Sequence, residues 1–112
     1  MNTEAAEEAD RESAVPVINA IEQIGTRWRV NIVYALKNGE LRFNDLKRET
    51  GASSKTLSEK LDELENNNII DRRVEKDSPI AVYYYLTSKG NELLHALSAL
   101  SEWEQNWANR DT

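Results

Sequence analysis

The sequence predicts a single, mainly α-helical domain that carries one small β-hairpin, and three observations support this fold class. The chain has 112 residues, which suffice for one modest core but not for two. Apolar residues recur at helical spacing through most of the chain. Between Ile70 and Leu86 the apolar period changes to two, around a turn that contains Pro79.

Composition excludes several classes of function. The chain contains no cysteine and one histidine, which argues against disulfides, thiol chemistry and cysteine- or histidine-based metal or catalytic sites. No glycine-rich phosphate loop occurs. We therefore expect no enzyme activity, no metal and no cofactor. Because no apolar run could cross a bilayer and the acidic start lacks a leader pattern, we expect a cytoplasmic protein without membrane contact.

Charge is distributed unevenly along the chain. The formal net charge is −6, yet residues 26–60 hold eight bases against four acids. Residues 1–12 hold five acids against one arginine, so residues 1–14 are expected to form a disordered acidic tail that precedes a domain at 15–112. A locally basic surface is what phosphate binding requires.

Two helices are expected to open the domain. Pro16 is tolerated in a first helical turn, and Gly25 ends the apolar stripe that follows it. The stripe consists of Val17, Ile18, Ile21 and Ile24. Thr26 can cap a second helix, which Gly39 would stop. Its inward residues are predicted to be Trp28, Ile32, Val33, Ala35 and Leu36.

The next segment has the pattern of a helix-turn-helix. After a brief extended pair at residues 41–42, Phe43 anchors a short helix that ends at Gly51. The following helix, at about 53–66, begins only about three residues later, and a short turn with glycine between two helices is typical of this motif. Its inward residues are expected to be Leu57, Leu61 and Leu64.

A hairpin and a long helix complete the predicted domain. Alternation at about 69–86, broken by the turn at 76–79, indicates two strands that follow the helix-turn-helix as a wing. Thr87 can cap the last helix, whose apolar face is longer than a small core needs. That face comprises Leu93, Leu94, Leu97, Leu100, Trp103 and Trp107.

Four segments in this order resemble the HxlR-type winged helix-turn-helix transcription regulators, within the MarR-like winged helix superfamily. The matching segments are IGTRW (24–28), LRFNDL (41–46), SSKTLSEKLDELENNNII (53–70) and VYYYLTSKG (82–90). The resemblance implies a prokaryotic, dimeric DNA-binding regulator whose terminal helices form the dimer interface. Many members carry a sensing cysteine where this chain has Val15, so thiol sensing is not expected. Ala81 also replaces an arginine of many relatives, which leaves fewer basic residues in the wing.

The first half of the 53–66 helix is predicted to read DNA in the major groove. Lys55 could bond guanine, and Glu59 could accept from cytosine. Short hydroxyl side chains could reach bases or phosphates, and they belong to Ser53, Ser54, Thr56 and Ser58. The competing interpretation is that Lys55 and Glu59 merely pair as i and i+4 neighbours on a solvated face.

Phosphate contacts are expected from basic side chains around this helix. The candidates are Arg42, Lys47, Arg48, Lys60, Arg73 and Lys76. Arg72 shares a strand face with Ile70 and Val74, so a structural role is open for it. A wing cation in the minor groove would favour narrow, A·T-rich sequence.

A homodimer on an inverted repeat of double-stranded DNA is the expected assembly, with recognition helices about 34 Å apart. The interface is assigned to Val17, Ile18, Ile21, Leu97, Leu100, Trp103 and Trp107. The alternative is that these residues serve only the core within one chain.

Two further interpretations stay open. Because the net charge is negative, the winged helix could be a protein-interaction module that does not bind DNA. A small-molecule effector is a further candidate partner. The aromatic residues Trp28, Tyr34 and 83–85 could line its pocket, although aromatics at such spacings are commonly core.

Overall fold

A computed structural model describes residues 13–108, so the predicted acidic tail lies almost entirely outside the described residues. Five helices and three strands follow one another along this part of the chain. They are α1 Val15–Ile24, α2 Arg27–Ala35, β1 Leu41–Arg42, α3 Phe43–Thr50, α4 Ser54–Asn66, β2 Ile70–Glu75, β3 Ala81–Leu86 and α5 Ser88–Ala108. None of these helices is long and apolar enough to cross a membrane.

Side-chain caps start three of the helices, and two of the caps, Thr26 and Thr87, were predicted from the sequence. The Thr26 hydroxyl accepts from the Arg29 N–H at 3.3 Å, before α2. The Ser53 hydroxyl accepts from the Thr56 N–H at 3.1 Å, before α4. Thr87 does the same for α5, accepting from the Gly90 N–H at 3.1 Å. Each hydroxyl satisfies a backbone donor that has no partner inside its own helix.

The helix-turn-helix is confirmed in α3 and α4. Gly51 ends α3 in the left-handed conformation, with φ of 75°, which glycine adopts without steric cost. The chain then needs only Ala52 and Ser53 before α4 begins. Leu46 of α3 and Leu57 of α4 are both fully buried, so the two helices share one core.

The wing is one part of a three-stranded antiparallel sheet in the order β1-β3-β2. The hairpin register runs from Ile70 opposite Leu86 to Glu75 opposite Ala81. The residue pair 41–42 adds a third strand on the other edge of β3, with Leu41 opposite Tyr84. The sequence predicted both the hairpin and the extended pair, but not their union in one sheet.

Helices α2 to α4 supply most of the core. The largest fully buried side chains are Ile32, Val33, Leu46, Leu57, Leu61, Leu64, Ile69 and Ile70. Of the α1 stripe, Ile24 is buried, whereas Val17, Ile18 and Ile21 are exposed. The predicted inward side of α2 faces the core, with Trp28 partly buried against it. Helix α2 ends at Ala35, before the turn in which Gly39 has φ of 138°.

The arrangement of α2, α3, α4 and the sheet is a winged helix-turn-helix, as predicted. Helix α5 follows the wing and runs for 21 residues, of which Gly90 and Leu97 are buried. Most of α5 therefore extends beyond the core of its own chain.

Candidate nucleic-acid interface

Helix α4 has two chemically different faces. Leu57, Leu61 and Leu64 are at most 2% exposed and hold the helix against the core. The opposite side of its first half is exposed and consists of Ser54, Lys55, Ser58 and Glu59, which we call the reading face. The helix therefore presents short hydroxyls and both charge types at its N-terminal end, where a groove-bound helix contacts bases.

Lys55 and Glu59 do not form the ion pair that the competing interpretation required. Neither of them has an acidic or basic partner within 4.0 Å among residues 13–108. Both side chains are exposed. Their donor and acceptor groups are thus available to a ligand.

Ser53 and Thr56 have local roles that the sequence did not distinguish from base contact. The Ser53 hydroxyl caps α4 and also donates to the Thr56 hydroxyl oxygen at 3.1 Å. Thr56 is partly buried. Because these hydroxyls bond each other, we assign them first to stabilising the start of the helix.

Exposed cations occur on the helix-turn-helix segment and in the wing. Arg42 precedes α3, Lys47 lies within it, and Lys76 follows β2. All three are exposed and lack an acidic partner within 4.0 Å among the described residues. Together with Lys55 they form a set that we call the free cations.

The other predicted phosphate contacts are paired inside the chain. Arg48 bonds the Asp45 carboxylate one turn before it. Lys60 Nζ lies 3.0 Å from a Glu63 carboxylate oxygen, and its side chain is only 20% exposed. The charge of each cation is therefore partly offset by a carboxylate of its own chain.

Arg73 is the most strongly engaged wing cation. Its Nη2 donates to Glu40 Oε1 at 2.7 Å, and its Nε donates to Oε2 at 3.2 Å. The guanidinium also lies over the Tyr83 ring, 4.6 Å from the centroid. The Arg73 hydrogen bonds hold the pKa of Glu40 below its ordinary value. Arg73 therefore ties the wing to the turn before β1, a contact that joins residues 33 positions apart.

Arg72 is exposed in β2 opposite Tyr84, and its Nε is 3.7 Å from a Glu65 oxygen. Burial is the main cause that raises the pKa of Tyr84 above its ordinary value. Tyr84, like Trp28 and Tyr34, packs against the core, and Tyr34 also lines a small cavity of about 140 Å³ beside the turn before β1. The structural role left open for Arg72 is thus a contact between the wing and α4.

A cleft of about 450 Å³ separates the start of α3 from the wing tip. Its lining includes two predicted contacts, Arg42 and Arg48, and two residues that sequence reasoning missed, Asn44 and Ile80. Ile80 is 68% exposed.

The terminal helices expose an apolar surface. Its residues are at least 49% exposed, and they are Val15, Val17, Ile18, Ile21, Leu100, Trp103 and Trp107. Val15 was not among the predicted interface residues. Leu97 was, and the structure corrects this assignment: at 6% exposed it packs in the core of its own chain. No group of three histidine, aspartate or glutamate side chains within residues 13–108 could hold a metal ion.

Comparison with known proteins identifies the family. The model of the HxlR-like helix-turn-helix family matches residues 23–112. The chain belongs to the HxlR-like helix-turn-helix family. This HxlR-like chain is 37% identical over 93 residues to the HTH-type transcriptional regulator YodB of Bacillus subtilis, with 82% of this chain and 80% of that protein covered.

Solved structures agree with this assignment. A MarR-family transcriptional regulator from Enterococcus faecalis V583 superposes with a TM-score of 0.84 and 27% identity, over 89% of this chain and 92% of that one. The redox regulator HypR in its reduced form gives a TM-score of 0.76 and 32% identity, over 86% and 94%. Both the relatives and the fold support a DNA-binding regulator.

Proposed function

We propose that this HxlR-like protein is a sequence-specific transcriptional regulator that binds an inverted-repeat operator as a homodimer. The observation that carries the proposal is the reading face of α4, which is exposed and free of internal ion pairs among residues 13–108. The free cations Arg42 and Lys47 belong to the same helix-turn-helix segment, and Lys76 belongs to the wing. The buried leucines on the opposite side hold this helix rigidly, as precise base contact requires.

The reading face would enter the major groove. Lys55 can donate to guanine O6 or N7, and Glu59 can accept from the cytosine amino group. Each good base contact would contribute about 1 to 3 kcal/mol of discrimination. Ser54 and Ser58 would supplement these contacts with hydroxyls. The second half of the helix carries acids, including Asp62 and Glu65, which favour a path away from the phosphates.

The free cations would fix the helix on the DNA backbone. Arg42 and Lys47 would contact phosphates beside the groove, since they lie on the same motif as the reading face. Lys76 in the wing turn would approach the neighbouring minor groove. Arg48, Lys60 and Arg73 would contribute less, because an internal carboxylate already offsets the charge of each.

The apolar surface on α1 and α5 would form the dimer interface. Trp103 at 61% and Leu100 at 59% exposure lie on the part of α5 that extends beyond the core. Burying such residues removes apolar area from water, which is the main driving force for association. We propose no thiol-based sensing, although relatives include a redox regulator, because none of the 112 residues is a cysteine.

Selection of bound fragments from the organism's own DNA by the purified protein tests this function. We expect enrichment of an inverted repeat, and Lys55→Ala together with Ser58→Ala should abolish the sequence preference. The matched control is Lys89→Ala with Ser98→Ala, which places the same changes on exposed α5 positions. Unchanged preference in the reading-face variant would refute the assignment of α4.

The affinity for DNA at several salt concentrations separates the regulator from a protein-interaction module. A regulator loses DNA affinity steeply as salt rises, because phosphate contacts release counterions. An interaction module shows no such affinity. The absence of any enriched sequence, in a protein that remains folded and dimeric, would favour the module. An effector would then be sought by its ability to change operator affinity.

A further inference from the structure

We propose that the Arg29–Glu63 ion pair is a positioning contact that sets the angle between α1 and α4, and thereby restricts the half-site spacing that the dimer accepts. This inference rests on the proposed function, because it needs a dimer that reads DNA through α4. Neither residue belongs to the reading face or to the apolar surface.

Arg29 joins three helices through one guanidinium group. Its Nε donates to Glu63 Oε2 at 3.0 Å, in α4. Its Nη1 donates to the Glu22 carbonyl oxygen at 3.1 Å and to the Gln23 carbonyl oxygen at 2.9 Å, both in the last turn of α1. The Arg29 side chain is only 15% exposed. A planar, rigid fork can hold these three acceptors at once, whereas a lysine ammonium on a flexible stem cannot fix the same geometry.

The two carbonyl groups are suitable anchors for α1. The last carbonyls of a helix have no partner within it, and they carry the negative end of the helix dipole. A cation at this position satisfies both requirements. Gly25 follows directly. A Cβ at this position would lie 2.6 Å from the Ile21 carbonyl oxygen, so the absence of a side chain permits the close turn. The end of α1 is therefore defined by a tight turn on one side and by Arg29 on the other.

Glu63 is held on its own helix as well. Lys60 Nζ donates to Glu63 Oε1 at 3.2 Å, so the carboxylate is fixed from two directions. Hydrogen bonds from Arg29 and then Lys60 hold the pKa of Glu63 below its ordinary value of 4.5, so it is a carboxylate at neutral pH. The contact consequently links α1 to a fixed point on α4.

Few other described contacts orient α1. Among its residues only Ile24 is buried, and its remaining apolar side chains are exposed. A helix with one buried side chain can rotate about that point unless a second contact prevents it. Arg29 provides that second contact, and it does so between α1, one of the two helices proposed for dimerisation, and α4, the helix proposed for recognition.

The geometry makes half-site spacing sensitive to this contact. Glu63 lies nine residues after Ser54 in α4, which corresponds to about 14 Å along the helix axis. A change of about 15° in the angle between α1 and the core that carries α4, taken about Glu63, would shift the Ser54 end by about 3.5 Å relative to α1, which is about one base-pair step. A loosened contact should therefore let the dimer accept operators whose spacers differ by one base pair.

The test measures operator affinity of the full chain on spacers shortened or lengthened by one and two base pairs. Glu63→Gln and Arg29→Lys should lower the penalty for a one-base-pair change by about threefold to tenfold, with the same half-site preference. Glu65→Gln is the matched control, since it removes the same charge from the same helix but contacts Arg72 instead. Its spacing penalty should equal that of the unsubstituted protein. Unchanged penalties in both Arg29–Glu63 variants would overturn the proposal.

A measurement without DNA separates this inference from the proposed function. Because the chain has no cysteine, spin labels on Asn19→Cys and Ser58→Cys would report the distance between α1 and α4. Labelled protein is diluted with unlabelled protein so that only distances within one chain contribute. Glu63→Gln should broaden the distance distribution, whereas Glu65→Gln should not. An unbroadened distribution refutes the contact's role, while failure of the unsubstituted protein to bind DNA refutes the proposed function.

Discussion

The salt dependence of operator binding follows from which cations the structure leaves free. Among the six predicted phosphate contacts, Arg42, Lys47 and Lys76 have no acidic partner within 4.0 Å in the described part of the chain. A dimer would then make about six phosphate contacts. Since each contact contributes about −0.9 to the slope of log K against log salt, the expected slope is about −5.

This slope distinguishes free from paired cations. Raising the salt from 50 to 200 mM should weaken binding by about 10³-fold. If the paired residues Arg48, Lys60 and Arg73 also contacted phosphates in both protomers, about twelve contacts would give a slope of about −11. The internal ion pairs therefore predict a slope of about −5 rather than about −11, which is the weaker salt dependence.

Fluorescence anisotropy with a labelled operator, over four salt concentrations, measures the slope. Lys47→Ala should make the slope shallower by about 2, because a dimer loses two contacts. Lys89→Ala is the control, since its Nζ donates to the Asn67 carbonyl oxygen at the far end of α4. A slope near −11, or equal slopes for the two variants, would refute the division into free and paired cations.

Three further outcomes are expected. Gly90→Ala should destabilise the fold by about 1 to 3 kcal/mol in urea unfolding, because the added Cβ would lie 2.1 Å from the Ile69 carbonyl oxygen; increased stability would contradict this close approach. Trp103→Glu should shift the protein toward monomer in light scattering while leaving helical content intact, and an unchanged mass would exclude Trp103 from the interface. Because hydrogen bonds from Arg29 and Lys60 lower the pKa of Glu63, their stabilisation is complete above pH 4.5 and is lost as the pH falls through the lowered pKa. Glu63→Gln should therefore flatten the acid limb of the unfolding free energy, and identical acid limbs would argue against this linkage.

Local chemistry explains why much of the fold could be predicted from the sequence. The caps at Thr26, Ser53 and Thr87 depend only on the few residues after them, and their hydroxyls bond backbone donors three residues later. Gly51 likewise occupies a left-handed position that its neighbours require. These signals act within one turn of helix, so no knowledge of the tertiary structure is needed to interpret them.

Contacts between distant segments could not be predicted in the same way. Arg73 and Glu40 are 33 residues apart, and Arg29 and Glu63 are 34 apart. From the sequence alone, several acidic residues are equally good candidate partners for each arginine. The tertiary structure determines which carboxylate lies within hydrogen-bond distance. The basic residues of the motif were recognised, but whether a given base was free or paired depended on that selection.

The position of Leu97 was misassigned for a related reason. A helical stripe shows which residues share a face, but it does not show which of them pack in the core of their own chain and which are exposed to a second surface. On α5 that boundary falls after Leu97, which is 6% exposed, while Leu100 is 59% exposed. Whether the second partner is another copy of the chain depends on a surface that the stripe alone does not specify.

The internal ion pairs also account for how an acidic chain can be suited to DNA. Carboxylates at Asp45, Glu63 and Glu40 pair with Arg48, Lys60 and Arg73, whereas the free cations of the same motif and wing have no acidic partner within residues 13–108. Non-specific affinity grows with the number of phosphate contacts, whereas base contacts discriminate between sequences. A small number of phosphate contacts thus keeps the affinity for arbitrary DNA low. The unpaired Lys55 and Glu59 can still raise the affinity for the operator through base contacts. The net charge of −6 is then compatible with sequence-specific recognition, because specificity depends on the local placement of charge.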